Sequence, residues 1–409
     1  MSRAAFSLLW CFVFILPWDK FIVLPVLGSL PRIVGLVASA VGVLYILARR
    51  RVRPLAWFHV FALLFVIWAG VSAFWSFDPQ ATRVAFLTYL QLLVLVWLIW
   101  EIAWTPERQR ALLQAYVLGV SVAALVTIYR YLTNVPLVDD ATRLTDAMRF
   151  TAFSYNVNEL GMTLALGLPM AWYLSLSQPE RRRGAWMWRL YLPLGVTGIL
   201  LTASRGAFLS ALVALLIIPW TLGRMRLRTR VALYALATGT LLLATHFVPE
   251  SSFERLATIR ADVQSGYFGG RGAIWTAGLE VAEEHPFVGV GTAAYGAAVE
   301  PTLFFDWGSH SVPLAILVEN GLVGLFLFIA AVAAAARPAG RLPPLQQRFS
   351  IILLLTLVVG SLSGEWQDRK QFWFVLGILA AEVAYRPAGN RSRQQVLGDA
   401  SDEPQLRAL

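Results

Sequence analysis

The stretch Leu190–Leu222, LYLPLGVTGILLTASRGAFLSALVALLIIPWTL, decides the fold. It contains two apolar runs, residues 190 to 204 and 207 to 222, separated only by the corner Ser204-Arg205-Gly206. A bilayer core of roughly 30 Å needs about 20 apolar helical residues, so the pair reads as two neighbouring membrane spans. Working outward, comparable windows occur near 4 to 18, 31 to 48, 55 to 75, 82 to 103, 109 to 132, 157 to 177, 231 to 247, 311 to 336, 349 to 363 and 371 to 385. The composition agrees: 58% hydrophobic and only 14% charged residues over 409 positions leave too little polar surface for a soluble globule. The expected fold class is an all-α polytopic membrane protein with about 12 transmembrane helices.

The net charge of +10 comes almost entirely from arginine, since lysine occurs only at positions 20 and 370. The arginines cluster in alternate loops: 49 to 53, 108 to 110, 181 to 189, 224 to 230, 337 to 348, and the tail from 386. Such alternation is a topology signal and predicts that both termini are cytoplasmic; it argues against nucleic-acid binding. Arg205 then falls on the face away from the cytoplasm, where a topology anchor is not expected. Arg3 and the apolar stretch to Trp18 read as the first span, because Asp19-Lys20 follows with no small-residue cleavage site. The single cysteine, Cys11, excludes an intrachain disulfide. The expected division is residues 1 to 247 for spans one to nine, 248 to 310 for an extracytoplasmic loop with two short helices, 311 to 385 for spans ten to twelve, and 386 to 409 for a disordered cytoplasmic tail.

A loop as long as 248 to 310 is more often functional than idle. Ser251-Ser252 offers a cap for a first helix in which Phe253, Leu256, Ile259 and Val263 keep helical spacing, with Arg255 and Arg260 on the other side. A second helix is predicted from Ala273 to about Glu284, stopping before Pro286. Gly269-Gly270-Arg271-Gly272 precedes it, and a helix start beside a guanidinium suits a phosphate. Topology brings Arg205, Arg271 and His310 to one side. Two arginines can grip a pyrophosphate bidentately, and a histidine near its ordinary pKa can take a proton from an attacking hydroxyl. Plainer roles stand beside these: Arg205 snorkelling to headgroups, Arg271 solvated in a loop, His310 capping the next span and His285 ending a helix before proline. Glu319, inside a span, is either an orienter for the site or a buried hydrogen-bonded group. Trp275 and Trp307 are candidates for stacking on sugars, and Arg369-Lys370 for attracting lipid phosphates. Four histidines at 59, 246, 285 and 310 with one cysteine form no metal-ligand spacing, and no Asp-x-Asp pair occurs, so no metal is expected.

The order Ser204-Arg205-Gly206, Arg271-Gly272-Ala273-Ile274-Trp275, Glu284-His285-Pro286-Phe287-Val288-Gly289-Val290-Gly291, then His310 and Leu317-Val318-Glu319-Asn320-Gly321-Leu322-Val323-Gly324, resembles the O-antigen ligase and polymerase superfamily over residues 150 to 325 or so. The resemblance implies a fold similar to the GT-C membrane glycosyltransferases and an active site on the periplasmic side of the bacterial inner membrane. It implies an undecaprenyl-pyrophosphate-linked polysaccharide as donor, lipid A-core as acceptor, and transfer without a metal or other cofactor. Arg205, Arg271 and His310 match the family's essential residues, with Arg260, Trp275 and Glu319 as further candidates for substrate binding. Relatives often carry asparagine after this histidine, whereas Ser311 follows here. A polymerase would use the same donor. A transporter would call for ionisable residues near mid-span and a repeat in the hydropathy pattern, and neither is evident.

Overall fold

In the computed structural model, the described residues are 2–18, 23–24, 28–135, 149–152, 156–177, 182–247, 253, 257, 264, 271–305 and 307–382. Most of the first helix expected in the long loop, Arg260 included, and the tail after 382 lie outside them. The helices are α1 Ser2–Ile15, α2 Leu30–Arg49, α3 Trp57–Val71, α4 Pro79–Ile102, α5 Pro106–Leu132, α6 Val157–Ser177, α7 Arg182–Leu201, α8 Arg205–Leu215, α9 Ile217–Thr221, α10 Leu227–Phe247, α11 Arg271–Glu284, α12 Tyr295–Leu303, α13 Val312–Ala336, α14 Pro344–Ser361 and α15 Lys370–Ala381. A two-residue antiparallel ladder, Val23–Leu24 with Gly28–Ser29, is the extended structure among the described residues.

Each apolar window of the sequence overlaps a helix among the described residues. Seven helical stretches are long and apolar enough to cross a membrane: Leu30–Arg49, Trp57–Phe74, Pro79–Ile102, Pro106–Leu132, Val157–Ser177, Val312–Arg341 and Pro344–Ser361. Fewer than twelve qualify for two reasons. Ser2–Trp18, Arg205–Thr221 and Lys370–Ala381 are apolar but shorter, and α7 and α10 carry arginines in their first turns. Local chemistry starts the helices as expected: the Asp78 side chain accepts from the N–H groups of Gln80 and Ala81 at α4, and Thr105 accepts from Arg108 N at α5. Leu47, Trp57, Val84 and Leu132 stand exposed on the outside, as suits a chain whose solvent is lipid. Helix α6 is the opposite case. It is buried nearly all round, packed by α5, α7, α8 and α14, and forms the axis of the bundle.

Helix α13 is broken inside its span. Gly321 has φ 64° and ψ −169°, a backbone conformation open essentially to glycine alone. The break frees backbone groups where water is scarce, and the segment after α11 supplies their partners. The N–H groups of Val290 and Gly291 donate to the carbonyls of Val318 and Glu319 at 2.9 and 2.8 Å, and the N–H groups of Leu322 and Val323 donate to those of Pro286 and Phe287 at 2.8 and 3.3 Å. Trp68 Nε1 donates to the Asn320 carbonyl at 2.9 Å, and Thr292 Oγ1 to Asn320 Oδ1 at 2.7 Å. The two backbones approach so closely that a Cβ on Gly289 would lie 2.4 Å from the Glu319 carbonyl carbon, and one on Gly321 would lie 2.2 Å from the Phe287 oxygen. Two motifs separated in sequence are therefore hydrogen-bond partners.

Gly321→Ala should cost about 1 to 3 kcal/mol through backbone strain alone, with the overlap on Phe287 added. The expected result is a clearly lowered unfolding midpoint in detergent. Gly340→Ala, where a Cβ meets nothing within 4 Å, should leave the midpoint in place.

Candidate active site

The corner between α7 and α8 is built to turn tightly. Ala203 adopts φ 49°, Thr202 Oγ1 accepts from Ser204 N at 3.3 Å, and Ser204 caps α8 by accepting from Ala207 N. Arg149, 9% exposed, braces the corner from outside: its Nε donates to the Thr202 carbonyl at 3.1 Å and its Nη2 to Asn158 Oδ1 at 3.0 Å. The result places Arg205 at the first position of α8, where the unpaired N–H groups of a helix start favour an anion.

Arg271 holds the equivalent place on α11. The helix begins at Arg271, two residues before the predicted start, and ends at Glu284 ahead of Pro286. Its apolar face, Ile274, Ala277 and Ala282, packs with Val290, Tyr295, Val299 and Val318 in a small separate core. Tyr295 donates its hydroxyl hydrogen to the Ile274 carbonyl at 2.7 Å.

His310 sits in a left-handed turn, φ 50°, just before α13. Ser309 Oγ closes the turn, donating to the Ser311 carbonyl at 2.9 Å and accepting from Ser311 N at 3.1 Å. Trp275 Nε1 reaches from α11 to the Ser309 carbonyl at 2.9 Å. From the segment between α14 and α15, Glu365 Oε1 accepts from His310 N at 3.1 Å. The histidine is thus held by three elements.

Electrostatics ties these side chains into one cluster. Arg271 has its pKa lowered by burial first and then by the positive charge of Arg205, with Glu365 pulling the other way. It stays protonated near neutrality, because an arginine starts so high. His310 is also lowered, by burial and then by Arg271, again against Glu365. Its imidazole is therefore neutral at physiological pH and able to accept a proton. Two guanidinium groups that repel one another at adjacent helix starts form a site whose repulsion an anion relieves.

The structure thus brings together Arg205, Arg271 and His310. Trp275 stands beside them as the anchor of the histidine turn. Glu319 is buried against the backbone N–H groups of Ala293 and Tyr295 and lines a cavity that Glu365 shares. His285 has a structural place, its ring set edge-on to Phe77 at 5.5 Å. Arg369, expected to attract lipid phosphates, is engaged within the protein: its Nη2 lies 2.6 Å from Glu159 Oε1 and its Nε 3.5 Å from Asp368 Oδ1. Sequence reasoning missed Glu365 and Arg149. The density of charge in Glu365-Trp366-Gln367-Asp368-Arg369-Lys370, on the same expected face as the arginines, was the available signal for the first. A buried arginine in a long loop gives none until its partners are in place.

Fold and site together describe a polytopic helical membrane protein in which two arginines at helix starts and a histidine lie within electrostatic reach of one another. Residues 190–329 match the family model for O-antigen ligase, which supports the O-antigen ligase superfamily, whose members are membrane glycosyltransferase-like enzymes. The matched region contains Arg205, Arg271, His310 and both halves of the broken-helix pairing; Glu365 lies beyond it. No curated protein matches the chain.

The cluster sets the sign of a titration. Labelling of His310 by diethyl pyrocarbonate, followed on its own peptide by mass spectrometry, should be half-maximal below the ordinary histidine pKa of about 6.5. Glu365→Gln removes the charge that favours imidazolium and should move the midpoint lower still. Arg271→Gln removes the opposing charge and should move it up.

Proposed function

We propose that the protein is an O-antigen ligase, transferring polysaccharide from undecaprenyl pyrophosphate to a sugar hydroxyl of lipid A-core at the periplasmic face of the inner membrane. The observation that carries this reading is the pair of mutually repelling arginines at two helix starts beside a histidine held neutral. In the proposed step His310 takes the proton of the acceptor hydroxyl while that oxygen forms a bond to the anomeric carbon of the donor sugar. The bond from that carbon to the pyrophosphate oxygen breaks, and its electron pair leaves with the lipid pyrophosphate. Arg205 and Arg271 stabilise the charge that develops there, in place of a metal ion. A single displacement inverts the anomeric centre.

An apolar cavity of about 460 Å³ supports a place for the isoprenoid tail. It is lined by Leu192, Val196 and Leu200 of α7, by Leu215 and Ile218, and by Leu233 of α10. Leu200 lies four residues before the Ser204 cap, so a tail held here would deliver its pyrophosphate toward Arg205. A polymerase working on the same donor is the second reading, favoured equally by the arginine pair and separated from the first only by the acceptor.

The test is the lipopolysaccharide banding pattern of the host after deletion and complementation, with membrane levels of each variant checked. Deletion should abolish every O-antigen band while lipid-linked polymer accumulates; core bearing a single repeat unit would indicate a polymerase instead. Arg205→Ala, Arg271→Ala and His310→Ala should each fail to restore the bands. In a purified assay each arginine variant should lose on the order of a hundredfold in rate or more, the usual consequence of removing a preorganised transition-state donor. Near-normal ligation by a correctly inserted Arg271→Ala protein would refute the mechanism.

A further inference from the structure

A second polar space opens beside His310. This cavity, of about 300 Å³, is lined by Tyr89 of α4, Tyr295 of α12, Glu319 of α13 and, between α14 and α15, by Glu365, Gln367 and Asp368. Its size is at the lower end of small-ligand sites, roughly 300 to 1,000 Å³. Two contacts join it to the histidine: Glu365 accepts from the His310 N–H, and Gly308, two residues before His310, also forms part of the wall.

The chemistry of the wall is one-sided. Three acidic side chains and an amide line the space, and the arginine among them, Arg369, is taken up by Glu159 and Asp368. Gln367 is 7% exposed, yet its Oε1 is buried with no hydrogen-bond partner. An orphaned buried carbonyl costs about 1 to 3 kcal/mol, so it marks a place where a donor is expected to arrive. A ligand suited to this wall donates several hydrogen bonds and carries no negative charge. Sugar hydroxyls do the first, whereas phosphates and carboxylates fail the second.

We propose that this cavity is the acceptor-sugar subsite, and that it selects a neutral or amino hexopyranose over a phosphorylated or uronic one, with Gln367 Oε1 and Asp368 receiving hydroxyl hydrogens. The proposal rests on the glycosyl-transfer reading and gives it a direction. Positive charge at Arg205 and Arg271 receives the leaving pyrophosphate; negative charge at Glu365 and Asp368 receives the incoming glycan. His310 lies within electrostatic reach of both Arg271 and Glu365, where a proton must pass from the acceptor. The same partition keeps the donor's pyrophosphate out of the acceptor cavity by like-charge repulsion.

Binding, rather than turnover, tests this. The protein in nanodiscs is titrated with a deacylated core oligosaccharide ending in a neutral hexose, and separately with undecaprenyl pyrophosphate. Gln367→Met and Asp368→Asn should each weaken the oligosaccharide tenfold or more, with lipid-pyrophosphate affinity and thermal midpoint unchanged. A matched oligosaccharide ending in a uronic acid should bind wild type at least tenfold more weakly, and Asp368→Asn should narrow that gap. Unchanged oligosaccharide affinity in both variants overturns the proposal. A loss confined to the lipid pyrophosphate also overturns it, since the cavity would then serve the donor. Oligosaccharide binding that responds as expected in a protein that transfers no glycan would uphold the subsite while refuting the ligase reading.

Discussion

The interaction on which the rest depends is the pairing of the broken helix α13 with the segment that follows α11. A span cannot leave its carbonyl and N–H groups unpaired in a medium that offers no water, because each orphan costs several kcal/mol. Interrupting α13 at Gly321 is tolerated because Val290, Gly291, Pro286 and Phe287 supply the missing partners, helped by Trp68 and Thr292. One consequence is local: Glu319 and Asn320, at the break, are buried in polar surroundings. The other is larger. The loop is drawn against the bundle and carries α11 and α12 with it, which fixes where Arg271 and Trp275 stand relative to His310.

Around that frame several polar groups tie one element to another. Arg149 binds the corner carbonyl of Thr202 and the amide of Asn158, Arg369 binds Glu159 across the fold, and at another corner the buried Glu101 takes the side chain of Arg49 and the backbone N–H of Arg53. These groups have their charges or dipoles answered within the protein. Arg205 and Arg271 each head a helix, and the charge of one disfavours that of the other. Two cations held this close disfavour one another, and a multivalent anion between them would turn that repulsion into attraction. The arrangement is preorganised, and the reorganisation that a flexible site would need has been met during folding.

The histidine illustrates how geometry sets chemistry. In a loop with ordinary solvation it would titrate at about 6.5 and keep a fraction of its charge near neutrality. Burial and Arg271 make the imidazolium unfavourable, while Glu365 limits how far the shift runs. The backbone contact from Glu365 and the Trp275 bond to Ser309 fix the turn, so the ring is both neutral and placed. Neither condition follows from the residue type.

Much of the architecture was legible in the chain. Apolar runs of spanning length, the corner at Ser204 and the helix ended by Pro286 all rest on short-range rules: hydropathy, caps and the geometry of proline. The count of spanning helices was less legible, since α1, α8 with α9, and α15 are short and α7 and α10 open on arginines. Several features had no local signature. The break at Gly321 looks in sequence like a glycine in a greasy helix, and His285 to Gly291 looks like a turn; only their mutual hydrogen bonds explain either. Glu365 joins the site from a segment 55 residues beyond His310. The sequence by itself determined that the chain is a helical membrane protein and which residue types could carry charge and protons. The tertiary structure decided which of them meet and which are neutral, because burial and long-range electrostatics exist only once the helices have packed.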